Sequence, residues 1–150
     1  MILEIMFHEF SLHEMDLEFD ERLKSVKFSL PTPDLVHIIL NLISNSVKNF
    51  IENKIQDPRI AIKYTENDSQ VGFEITDNGT GMDENTFNNL TDLFSDGTAA
   101  YQHRGIGLRL ISRILEKRGG HLLFIPVNSG TCLRVGFNKK RLAGTKVFDN

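Results

Sequence analysis

Four short stretches of this chain hold residue types whose spacing could do chemistry. "NLISNSVKNF" carries Asn41 and Asn45, followed by Lys48 and Asn49. "DNGTGM" carries Asp77, Gly79, Gly81 and Met82, and "RGIGL" carries Arg104, Gly105, Ile106, Gly107 and Leu108. "NSGT" ends on Thr131. The spacing of Asn41, Asn45 and Lys48 puts all three on one side of a helix. An unpaired amide in an otherwise apolar helix costs about 1–3 kcal/mol. Each Asn must therefore either bond to a neighbouring loop or serve as a ligand. An Asn oxygen is a hard, neutral donor of the kind Mg²⁺ accepts beside phosphate oxygens and water.

Asp77 follows an alternating strand pattern, and a carboxylate there can accept from an exocyclic amine such as adenine's. Gly79 and Gly81 behind it permit either a plain turn or close approach of the backbone to a ligand. Gly105 and Gly107 open an amphipathic run. The first turn of a helix leaves N–H groups unpaired, and its dipole favours an anion. Bare glycines let a polyphosphate reach those groups; close helix packing would call for the same residues. Arg104 beside them can pair with a phosphate or stay solvated. The turn before Thr131 is a common hairpin turn.

The elements that must hold these residues follow from periodicity. Residues 15–30, "MDLEFDERLKSVKFSL", read as two short strands around a charged turn. Thr32 is expected to cap a helix that has Pro33 in its first turn, with apolar residues at helical spacing from Leu35 to about Asn53. "IAIKY" and "VGFEIT" alternate as strands. A short helix capped by Asp83 comes next, then a small, polar loop "SDGTAAYQHR" and a helix over 107–118 stopped by Gly119 and Gly120. "HLLFIPV" and "TCLRVGF" are the last strands. The expected architecture is an α/β two-layer sandwich: a mixed, mostly antiparallel sheet of about five strands, covered on one face by about three helices. Residues 1–14 read as a linker, 15–138 as the domain and 139–150 as a tail.

The 150 residues suffice for one core, with 40% hydrophobic and 25% charged residues. A net charge of −3 argues against nucleic acid as a partner. Cys132 is the single cysteine, so no internal disulfide forms and a reducing compartment is expected. No apolar run approaches the roughly 20 residues of a membrane-spanning helix, so no membrane contact by this chain is expected. "MILEIMFHEF" is too short and acidic for a secretory signal.

Taken in order, the motifs resemble the ATP-binding catalytic domain of sensor histidine kinases. That domain is shared, as a Bergerat-type fold, with type II topoisomerases, Hsp90-type chaperones and mismatch-repair ATPases. The resemblance runs from about Asp16 to Phe137. "NLISNSVKNF" resembles the N box, which implies Asn45 as Mg²⁺ ligand, Asn41 as its partner and Lys48 as a phosphate or ribose contact. "DNGTGM" resembles the G1 box, implying Asp77 on the adenine amine with Gly79, Gly81 and Met82 about the base. Phe94, ending "LTDLF", sits where the F box is expected. "GIGLRLISRILEKRGG" resembles the G2 box, which implies Gly105, Ile106, Gly107 and Leu108, with Arg104, at the triphosphate. "SGT" resembles the last glycine box, placing Thr131 near the base.

Three positions depart from the pattern. His103 replaces a glycine, Arg109 a small residue, and Asn49 a usual aromatic at the base or ribose wall. "RGIGL" is similar to the citrate- and dicarboxylate-sensor branch.

The resemblance implies ATP and Mg²⁺ as cofactors and a cytoplasmic place of work, as part of a membrane-bound sensor or alone. It implies phosphoryl transfer to a histidine on a separate dimerisation domain, with a response regulator downstream. His8 and His13 lie in a segment too short for the helical hairpin that carries such a histidine. The chain therefore reads as an excised catalytic domain or a free-standing relative. Alternatives within the fold are a nucleotide-binding regulatory module and an anti-sigma-type serine kinase.

Overall fold

The computed structural model describes residues 14–92 and 106–139. Among these, the elements run β1 (Asp16–Phe19), a 3-10 helix (Glu21–Lys24), α1 (Thr32–Glu52), β2 (Arg59–Glu66), β3 (Gln70–Asp77), α2 (Glu84–Thr91), α3 (Ile106–Lys117), β4 (Gly120–Ile125) and β5 (Thr131–Asn138). The five strands form one sheet in the order β1-β2-β3-β5-β4. β1 pairs parallel with β2, and every other pair is antiparallel. This is the mixed, mostly antiparallel sheet expected from the sequence.

Alternation along the strands sorts the two faces. Ile62 pairs with Ile75, Phe73 with Val135 and Ile75 with Leu133, and all of these side chains are buried. The next rung, Lys63 with Glu74 and Glu74 with Arg134, points the opposite way. The apolar face packs against Ile38, Leu42, Ile43 and Phe50 of α1, Phe87 and Leu90 of α2, and Leu108, Ile111 and Leu115 of α3. Burying each such side chain is worth about 1.5–3 kcal/mol against leaving it in water.

Two local expectations are corrected. Residues 15–30 form one strand, not two. Asp20 accepts from the backbone N–H of Arg22 and caps a 3-10 helix in the charged turn, and no second strand follows it over residues 25–30. β1 pairs in parallel with β2 instead of in a hairpin, and Phe28 folds onto Phe73 and Phe137. Thr32 is the first helical residue; Pro31 occupies the cap position without a side-chain bond. Asp83 does cap α2, accepting from the Thr86 N–H at 2.7 Å.

The relative placement of α1 and α3 matters most for the site. Asp34, near the start of α1, pairs with Arg118, just past the end of α3, at 3.2 Å. The two helices therefore run antiparallel, and the start of α3 lies beside the middle of α1, where Asn41 and Asn45 are.

Candidate functional site

Asp77 is the last residue of β3, and its register partner is Thr131, the first residue of β5. Adjacent central strands thus bring the Asp and Thr motifs together. The Asp77 carboxylate accepts from the Ser46 hydroxyl at 2.6 Å through Oδ2 and from the Gly79 N–H at 2.9 Å through Oδ1. Ser46 is the buried polar residue on the inner face of α1. Three residues further on, the Asn49 amide donates to Thr80 Oγ1 at 2.7 Å, and its Oδ1 accepts from the Thr80 N–H at 2.9 Å. The loop after β3 is thereby tied to α1 at two points. Asn78 holds its other side, accepting from the Arg59 N–H at 2.7 Å and donating to the Asp57 carbonyl at 2.9 Å.

Two glycines close the floor of this region. Gly130 has φ +73°, and a Cβ there would lie 1.9 Å from the Asp77 carbonyl oxygen. Gly81 has φ +84°, and its Cβ would lie 2.7 Å from the Gly130 carbonyl oxygen. Both positions need a left-handed backbone and no side chain.

The result is a cavity of about 90 Å³. Asn45, Ser46, Asn49, Asp77 and Thr131 supply its polar wall, and Leu42, Ile75, Met82, Leu108 and Leu133 its apolar wall. A narrow apolar slot ending in a fixed carboxylate suits a flat heterocycle bearing an amine. It is too small for a whole nucleotide, so a sugar and phosphates must extend out of it.

The bare end of α3 lies beside it. A Cβ on Gly107 would stand 3.2 Å from Asn41 Oδ1 and 3.9 Å from Asn45 Nδ2. Asn41 donates to the His37 carbonyl of its own helix at 2.8 Å. Asn45 faces the cavity, and among the described residues no hydrogen bond occupies its amide. The two amides therefore divide the alternatives posed by the sequence: Asn41 is bonded locally, and Asn45 is open. A neutral oxygen at the meeting point of the cavity and an unpaired helix end fits Mg²⁺ coordinated mainly by phosphate and water. Among the described residues no group of three His, Cys, Asp or Glu side chains is placed to hold a metal.

Asn45, Asn49, Asp77, Gly81, Met82, Leu108 and Thr131 come together as cavity walls. Gly79 sits behind Asp77, and Gly107 and Asn41 lie at the rim. Ile106 opens α3. Lys48 is exposed and is not on the cavity wall. Phe94, His103, Arg104 and Gly105, with the loop that contains them, lie outside the described residues, as do His8 and His13.

Ser46, Thr80 and Gly130 belong to the site but were not read from the sequence. A signal existed for Ser46: it is a lone hydroxyl in the buried row of α1, and a buried hydroxyl needs a partner.

Residues 31–141 match the family described as histidine kinase-, DNA gyrase B-, and HSP90-like ATPase. A probable C4-dicarboxylate sensor kinase of Halalkalibacterium halodurans is 32% identical over 131 residues, which is 85% of this chain and 23% of that protein. The sensor histidine kinase YvrG of Bacillus subtilis is 26% identical over 129 residues, 83% of this chain and 22% of that protein. The chain thus spans less than a quarter of the length of either relative. Among solved structures, the nucleotide-free catalytic domain of histidine kinase ThkA superposes with a TM-score of 0.72 at 14% identity, covering 92% of this chain and 87% of the other. The mycobacterial sensor histidine kinase MprB gives 0.64 at 17% identity, covering 91% and 89%. Because the family match spans well over half of its length, the chain belongs to the histidine kinase-, DNA gyrase B- and HSP90-like ATPase family.

Proposed function

We propose that this domain binds Mg-ATP and delivers its γ-phosphate to a histidine on a separate dimerisation domain, as the catalytic part of a cytoplasmic sensor-kinase module. A response-regulator receiver domain would then take the phosphate. The observation that carries the reading is the shared groove. The carboxylate of Asp77 and the amide of Asn45, which has no hydrogen bond among the described residues, are both in its wall, and Gly107 at the start of α3 is at its rim.

Asp77 receives the base amine, with Thr131 across from it and Met82 and Leu108 against the ring. Asn45 would hold Mg²⁺, which would supply positive charge against the phosphates when bound. The N–H groups near Gly107 share the anionic charge. Lys48 reaches the phosphates or ribose from the exposed side of α1, and Arg104 and Gly105 add to the phosphate end. The chain's task is positioning and charge, because phosphoryl transfer asks little covalent work of the protein.

Nucleotide binding measured with and without Mg²⁺ tests this. Asn45→Ala should lose the metal dependence and Asp77→Asn the preference for adenine; if neither variant differs from wild type, the assignment is wrong. A second reading, a nucleotide-holding regulatory module without efficient transfer, is favoured by Asn49. Its amide is spent on Thr80 where the family usually places an aromatic wall. Radiolabelled ATP mixed with a histidine-bearing dimerisation domain separates the two readings.

A further inference from the structure

The Asp77 carboxylate in the cavity wall is held from one side by a backbone and from the other by a side chain. Gly79 fixes Oδ1 by a backbone N–H that no side-chain substitution removes. Ser46 fixes Oδ2 by a hydroxyl on a different element, 31 residues away in sequence. The Ser46 hydroxyl carries one proton. At 2.6 Å its bond to Asp77 is far better than the alternative to the Leu42 carbonyl at 3.5 Å. With both donors in place the carboxylate cannot turn about its terminal torsion, which is otherwise broad. A carboxylate offers only acceptors, so its remaining lone pairs face the cavity in one fixed direction.

We propose that Ser46 is a positioning residue that sets the base selectivity of the site, through its grip on Asp77. The inference rests on the reading that Asp77 receives the base amine. Without the hydroxyl, Asp77 still lines the cavity but is held at one oxygen only. It can then swing away from the amine or meet it at a poor angle. A hydrogen bond to a charged group is worth most when well aligned, so discrimination for the amine should fall while contacts to ring, ribose and phosphates stay.

The Asn49–Thr80 pair, one turn along the same helix, supplies the control. It fastens the same loop to α1 but touches neither oxygen of Asp77. Loosening it should weaken every nucleotide alike.

The test is calorimetric titration with ADP and with purine riboside 5′-diphosphate, which is ADP without the amino group. Wild type should prefer ADP by about tenfold or more, the scale of one hydrogen bond to a charged group. Ser46→Ala, which removes one oxygen, should cut that preference at least threefold or so, mostly by weakening ADP. Ser46→Thr, which keeps the hydroxyl, should restore it. Thr80→Val should weaken both ligands by a similar factor and leave their ratio at the wild-type value. Wild-type preference retained in Ser46→Ala overturns the proposal, as does an even loss of both ligands in Ser46→Ala matching that in Thr80→Val. The underlying reading fails separately: if Asp77→Asn keeps the wild-type preference, the amine is not read at Asp77 at all.

Discussion

The two ends of the groove are built on opposite plans. At the base end, polar groups already hold one another: Ser46 and Gly79 hold Asp77, Asn49 holds Thr80, and Asn78 holds the strand edge at Arg59. At the proposed phosphate end no hydrogen bond among the described residues occupies the amide of Asn45, and the first turn of α3 presents a glycine beside it. One end is held by the protein's own groups; on the proposed assignment the other would be completed by the oxygens and metal of a bound nucleotide. On the proposed assignment the base end can discriminate, because rejecting a wrong base requires polar groups that do not relax. The phosphate end provides charge and alignment, which every nucleoside triphosphate can use.

The contrast predicts that lesions at the two ends separate cleanly. Asn45→Ala should have the largest effect, and on transfer: a fall of about 10²-fold or more in phosphate delivered to a dimerisation domain supplied in trans. Its ADP affinity without Mg²⁺ should stay at the wild-type value. Asp77→Asn should weaken ADP by about 10- to 100-fold, the range for losing a charge-assisted hydrogen bond, equally with and without Mg²⁺. A metal dependence that changed in Asp77→Asn, or a base preference that changed in Asn45→Ala, would break the division of labour.

Gly107→Val sharpens the same comparison at smaller scale. Its side chain would enter the space 3.2 Å from Asn41 Oδ1, so ATP affinity should drop about tenfold as the anion loses close approach to the helix N–H groups. Adenosine affinity should hardly change. Equilibrium binding of the two ligands to the one variant decides it.

The smallest effect is expected far from the groove, at the other end of β2. Asp20 accepts from the Arg22 side chain and from the N–H groups of Arg22 and Tyr64. The Arg22 side-chain bond first, then these backbone bonds, hold its carboxyl well below the usual carboxylate range. A carboxyl depressed in the folded state adds stability above its ordinary titration range and loses it as pH falls through the depressed one. Asp20→Asn should thus lower the melting temperature slightly at neutral pH. The gap from wild type should narrow below about pH 4, with nucleotide binding untouched at pH 7.

The sequence displayed the ends of elements better than their partners. Gly119, Asp83 and the alternation in "VGFEIT" act within a few residues, so the stops, the α2 cap and β3 were all legible. Asp77 could be placed at a strand end for the same reason. Ser46 was not legible as a site residue, because its role is decided by a residue 31 positions away. The stretch after β1 misled in a similar way. "VKFSL" alternates like a strand, but the docking of Phe28 on Phe73 and Phe137 overrode that pattern. Asn49 was recognised as a departure from the usual aromatic, yet the two bonds it makes to Thr80 required the loop and helix to be seen together.

The most direct test is a crystal structure of the domain with Mg²⁺ and a non-hydrolysable ATP analogue. The account predicts the adenine amine on Asp77, the ring between Met82 and Leu108, the metal on Asn45 and the phosphates against the backbone at Gly107. A nucleotide bound elsewhere, with the slot between α1 and α3 filled by the protein's own side chains, would contradict it.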